Sequence, residues 1–190
     1  MAYPHKCIFQ MKKETFISVD IEASGPIPGE YSMLSIGAAV IGDTKTNFYI
    51  ELKPINDNFI QRALDISKFS MQELKEKGKE PQEAMRKFEE WIISACNDSR
   101  PVFVAFNATF DWSFVNYYFH KFLRRNPFGI SGLDIKVYYM GLKKCAWADT
   151  VKRKVRTDFP SKTKHTHNAL DDAVEQAEIF EKMLSFKIKV

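Results

Sequence analysis

Along residues 15–22, TFISVDIE, apolar and polar positions alternate. Ile17, Val19 and Ile21 point one way and Ser18, Asp20 and Glu22 the other, which predicts a strand with one buried face. Ser24-Gly25-Pro26 and Pro28-Gly29 break it into a loop. Residues 32–41, SMLSIGAAVI, predict a second strand, Gly42-Asp43 a turn, and Asn47 to Leu52 a third strand. Joined by short turns, the three read as an antiparallel meander. Helical patterns follow. Residues 67–77 predict a short helix ended by Gly78, and Pro81 suits the first turn of the next. Ala84, Met85, Phe88, Trp91, Ile92 and Ala95 form one apolar face on that helix. PVFVAF, from Pro101 to Phe106, reads as a buried strand, and a helix is expected from Asp111 to Arg124. Residues 133–142 fit strand and helix equally. Trp147, Val151 and Val155 recur every four residues, as in an amphipathic helix, and a last helix is expected from Asn168 to Leu184. Strands first, then helices alternating with strands, predict an α/β fold. Its mixed sheet carries a three-strand antiparallel meander flanked by helices, in one domain over 14–186 after an N-terminal extension over 1–13.

A chain of 190 residues can build a core of its own, and its 16 phenylalanines belong mostly there. The net charge of +4 and a pI near 8.8 suit a polyanionic partner without establishing one. Cys7, Cys96 and Cys145 are odd in number and far apart, with no metal-ligand spacing, as expected of free thiols in a reducing compartment. No stretch has the apolar length of a membrane span or the form of a signal peptide, so a cytoplasmic protein is expected. Residues 143–166 carry eight Lys or Arg against two Asp. Such a run is either a solvated face or a lip that tracks phosphates.

The carboxylates change the picture more. Asp20 and Glu22, two apart on a strand, project from one face, where they repel each other unless a cation lies between them. Oxygen ligands of this kind favour Mg²⁺ or Mn²⁺ over zinc. The plainer alternative is an exposed acidic edge. Asp111 opens a helix after a buried strand, a place that suits an N-cap as well as a ligand. On the last helix, at about 100° per residue, Asp171 falls beside Glu175, Glu178 and Lys182 on the solvated face. Asp172 falls beside Ala169, Gln176 and Ile179, inside the apolar arc, where a carboxylate needs a partner or a metal. His167 precedes it by five residues; His165 is a nearby decoy.

Three segments, taken in order, resemble the DEDDh exonucleases, a family with a ribonuclease H-like fold: Asp20-Ile21-Glu22, Asn107-Ala108-Thr109-Phe110-Asp111 and His167-Asn168-Ala169-Leu170-Asp171-Asp172-Ala173. The resemblance covers roughly residues 14–184. It implies a 3′→5′ exonuclease that releases 5′-mononucleotides from single-stranded DNA or RNA using two divalent ions, Mg²⁺ or Mn²⁺. It implies Asp20, Glu22, Asp111 and Asp172 as metal ligands, with His167 as general base. It further implies that Ala23, Ser24, Gly25 and Asn107 lie against the terminal nucleotide. A homodimer remains open, as does a non-catalytic binding module that keeps the fold. Phe110 and Trp112 fit base stacking or the core equally.

Overall fold

The computed structural model describes residues 13–163 and 166–186. Five strands form one mixed sheet: β1 (Glu14–Ala23), β2 (Met33–Val40), β3 (Asp43–Glu51), β4 (Arg100–Ala105) and β5 (Gly132–Asp134), in the order β3-β2-β1-β4-β5. The first three are the expected antiparallel meander, and β4 and β5 run parallel to β1. Gly42, at φ +92°, makes the tight turn between β2 and β3. The parallel step from β3 to β4 needs a long crossover, supplied by α1 (Gln61–Ser67), α2 (Met71–Lys77) and α3 (Pro81–Cys96). After β4 come α4 (Ala108–Leu123), α5 (Ile135–Lys143), a 3₁₀ turn at Trp147–Asp149, α6 (Lys152–Asp158) and α7 (Ala169–Leu184).

The alternation in β1 sorts the two faces. Ile17, Val19 and Ile21 pack under α3 and α4 with Phe88, Phe103, Phe114 and Phe119. The opposite face is covered by α7, whose Ile179, Phe180 and Met183 meet α5 and α6 at Ile135, Tyr139, Val155 and Phe159. The sheet is therefore buried on both sides.

Four expectations change. The helix expected over 67–77 starts only at Met71 and follows α1, which was not expected, because Lys68 turns left-handed (φ 60°) and ends α1, and Ser70 then caps α2 by accepting from Glu73 N–H at 3.3 Å. α4 begins at Ala108, three residues before Asp111. The Asp134 carboxylate makes that possible: one oxygen accepts from Ala108 N–H (2.8 Å), the other from Lys136 and Val137 N–H at 2.7 and 3.2 Å. One side chain thus starts two helices and resolves the ambiguity of 133–142 into a three-residue strand followed by α5. Trp147, Val151 and Val155 do not share a helix; Val155 is buried in α6, whereas Trp147 lies under the Lys136 ammonium, 4.0 Å from the ring centre. The extension over 1–13 lies, apart from Lys13, outside the described residues.

Candidate active site

β1 and β4 pair only as far as Ser18 and Val104. Beyond that point β1 stays paired with β2 but has no partner on the β4 side, and its Ile21 N–H finds its acceptor in the Asp111 carboxylate at 3.0 Å. Asp111 therefore sits one turn inside α4, 4% exposed and pinned to β1, not at the N-cap. The N-cap position belongs to Asn107, which is left-handed at φ 68°.

From the other side of the sheet α7 delivers Asp172, 1% exposed, whose oxygens accept from the backbone N–H of Thr166 (3.0 Å) and of His167 (3.2 Å). These bonds fold the segment before α7 back over the carboxylate and hold His167 left-handed at φ 59°, a rare state for a non-glycine residue. Ligand atoms of Glu22, His167 and Asp172 come within 4.8 Å of one another. Asp20, Glu22, Asn107, Asp111, His167 and Asp172 all line one cavity of about 250 Å³ at the carboxyl ends of β1 and β4, the end of a parallel sheet where ligands bind.

Four carboxylates in one cavity make a strongly negative site. Burial, then Asp111 and Asp172, hold Asp20 well above the ordinary carboxylate range. Burial, then Asp20 and Asp172, push Glu22 up to about 8. Burial does most for Asp111, also raised to about 8 against the pull of the Ile21 N–H. Such groups take up protons or cations, and a set of buried oxygens with one imidazole fits a hard divalent ion.

The sequence pattern led to these residues but missed those behind them. Gln176, one turn after Asp172, donates to Asp20 at 2.6 Å and accepts from Phe106 N–H at 2.8 Å, fixing the Asp20 carboxylate against the end of β4. Glu175, expected on the solvated face of α7, is wholly buried between Lys152 and Arg156, at 3.2 and 3.1 Å. Helical angle could not reveal this, because the covering comes from α6. Ser24 is not brought to the cavity: its hydroxyl donates to the Asn58 carbonyl and accepts from Ser32 N–H, pinning the loop after β1. Ala23 and Gly25 instead line a neighbouring apolar cavity of about 360 Å³ with Glu22, Ile60, Ile66 and Phe110. Phe110 borders both cavities, while Trp112 packs edge-on against Phe103 at 5.2 Å in the core. His165 and Lys164 lie outside the described residues.

The sequence profile of the RNase T exonucleases matches residues 17–180. The chain belongs to the RNase T exonuclease family. A relative from Escherichia coli, the 3′-5′ DNA exonuclease Cap18, is 48% identical to this exonuclease over 169 residues, covering 88% of this chain and 90% of the relative. Among solved structures, the nuclease domain of 3′hExo, a DEDDh family member bound to rAMP, matches with a TM-score of 0.73 at 14% identity, over 93% of this chain and 94% of that one. Cell-death related nuclease 4 matches at 0.71 and 14% identity, over 92% of this chain and 64% of its own. The activity of the present chain is that of a 3′→5′ exonuclease, and its family depends on divalent metal. Among the described residues, no helix is long and apolar enough to cross a membrane.

Proposed function

We propose that this exonuclease removes 5′-mononucleotides from the 3′ end of single-stranded DNA, with Asp20, Glu22, Asp111 and Asp172 holding two divalent ions, Mg²⁺ or Mn²⁺. The observation that carries this reading is the convergence of the four carboxylates and His167 on one cavity. DNA is preferred to RNA on the strength of the 48% identity to a relative named for DNA.

Bound ions of this kind neutralise charge on the scissile phosphate and acidify the attacking water. The protein's own groups do the rest. His167, exposed at the mouth of the cavity, accepts the proton of that water. Gln176 and the Ile21 N–H keep Asp20 and Asp111 from turning away as charge on the site changes. The terminal nucleoside lies in the apolar cavity beside Glu22, against Ala23, Gly25 and Phe110, with Asn107 in the adjoining carboxylate cavity.

Digestion of a 5′-labelled single strand with Mn²⁺ tests this directly. A ladder shortening from the 3′ end is expected, abolished by chelator. Asp172→Asn should lower turnover by orders of magnitude, and His167→Ala by about 10²–10⁴-fold. Asp172→Asn working at the wild-type rate would remove the metal assignment, and RNA degraded as fast as DNA would remove the preference.

A further inference from the structure

Among the described residues lining the carboxylate cavity, Lys152 is the one ammonium or guanidinium. The same residue also lines a second cavity of about 440 Å³, walled by Arg153, Arg156, Thr157, Pro160 and Ser161. Lys152 thus stands where the two cavities meet. Its Nζ lies 3.2 Å from Glu175 Oε2 and 5.5 Å from the centre of the Phe106 ring. The other Glu175 oxygen lies 3.1 Å from Arg156 Nε. Neighbouring cations of this stretch are paired away from the cavity, Lys143 with Asp158 and Lys154 with Asp149.

A leucine at position 175 would fill a buried site without taking a carboxylate out of water. What the glutamate supplies instead is a fixed place for an ammonium. An ammonium has three donors on a compact charge. One can stay on Glu175 while another reaches an anion in the cavity.

We propose that Lys152 binds the scissile phosphate, donating to a non-bridging oxygen, with Glu175 as the positioning residue that holds its ammonium at the cavity wall. This rests on the reading of the cavity as the hydrolytic site, and it adds to the metal ligands a contact made by the protein itself. The 5′-phosphate of the mononucleotide product is the former scissile phosphate, so product binding reports the contact without turnover.

The test is calorimetric affinity, in Ca²⁺ buffer, for 5′-dAMP and for deoxyadenosine, which lacks the phosphate. Loss of one hydrogen bond to a charged group weakens binding by roughly tenfold. Lys152→Gln should therefore weaken 5′-dAMP about tenfold and leave deoxyadenosine unchanged. Lys152→Arg should recover part of the loss, and Glu175→Gln, which frees the ammonium to wander, should show a smaller phosphate-selective loss. Lys154→Gln removes the same charge from a residue paired with Asp149 and should change neither affinity. If Lys152→Gln is unstable because Glu175 is left with less compensation, Lys152→Gln with Glu175→Gln removes both charges and is read in the same way.

Unchanged 5′-dAMP affinity in Lys152→Gln would overturn the proposal, as would equal loss for both ligands or an equal loss in Lys154→Gln. A wild-type protein that binds neither ligand would count against the nucleotide site itself. Wild-type binding with no effect at Lys152 counts against this inference alone.

Discussion

At the residue scale, the site is a set of acids held where acids are uncomfortable. Asp20, Glu22 and Asp111 are raised mainly by burial and further by one another, Glu22 and Asp111 to about 8. The folded chain therefore holds these protons more tightly than the unfolded chain does. It follows that the metal-free fold is most favoured at low pH, and that this advantage is lost as pH rises from the ordinary carboxylate range through about 8. With chelator present, the melting temperature should fall between about pH 5 and about pH 8. Glu22→Gln, which cannot ionise, should flatten the fall. Mn²⁺ should raise the melting temperature more at the alkaline end, where the ligands would otherwise be charged and repel one another. Differential scanning fluorimetry across the series checks all three, and a metal-free melting temperature independent of pH would show that the acids do not strain the fold.

At the element scale, one glycine decides how closely two elements approach. Gly37 of β2 pairs with Asp20 of β1, and a Cβ on it would lie 2.1 Å from the backbone carbonyl of Ala169, the first residue of α7. The helix rests directly on the strand, which brings Asp172 and Gln176 to the acids of β1. Gly37→Ala meets backbone, which cannot swing aside, so a loss of about 1–3 kcal/mol is expected. Because α7 carries Asp172, turnover at saturating metal should fall as well. Gly141 in α5 is the contrast: a Cβ there meets nothing within 4 Å. Gly141→Ala should be neutral or add up to about 1 kcal/mol through helix propensity, with activity unchanged. Chemical denaturation of the two variants separates close approach from propensity, and equal effects would mean that α7 can shift freely on the sheet. Asp134→Ala belongs to the same scale. It removes the acceptor that starts α4 and α5, and should cost about 1–2 kcal/mol.

At the scale of the whole molecule, a chain of net charge +4 must hold a polyanion beside a cluster of acids. On α6, Arg153 and Arg156 border the cavity next to the acids. Each phosphate neutralised on a single strand contributes about −0.7 to the slope of log affinity against log salt. Arg153→Ala should flatten that slope by about 0.7 for a long single strand. Lys154→Ala, already paired with Asp149, should leave it unchanged. Affinities measured over a salt series with Asp172→Asn blocking turnover would decide the path. Equal slopes in wild type and Arg153→Ala would place the strand away from α6.

The sequence alone determined what local periodicity and residue chemistry can determine. Alternation in β1 separated the core face from Asp20 and Glu22, and helical angle set Asp172 apart from Asp171 within α7. Three short motifs, read in order, pointed to the family. Features that depend on a partner distant in sequence were not legible. Nothing local shows that Ile21 N–H outlasts its β4 partner and takes Asp111, nor that Asp134 starts a helix 26 residues upstream. The same holds for Glu175. Its place on α7 reads as solvated until α6 folds over it with Lys152 and Arg156, because burial belongs to the packed pair of elements and not to either helix by itself. Tertiary structure alone decided which cation faces the acids, by bringing Lys152 of α6 to the cavity, and how closely α7 rests on the sheet, through its contact at Gly37.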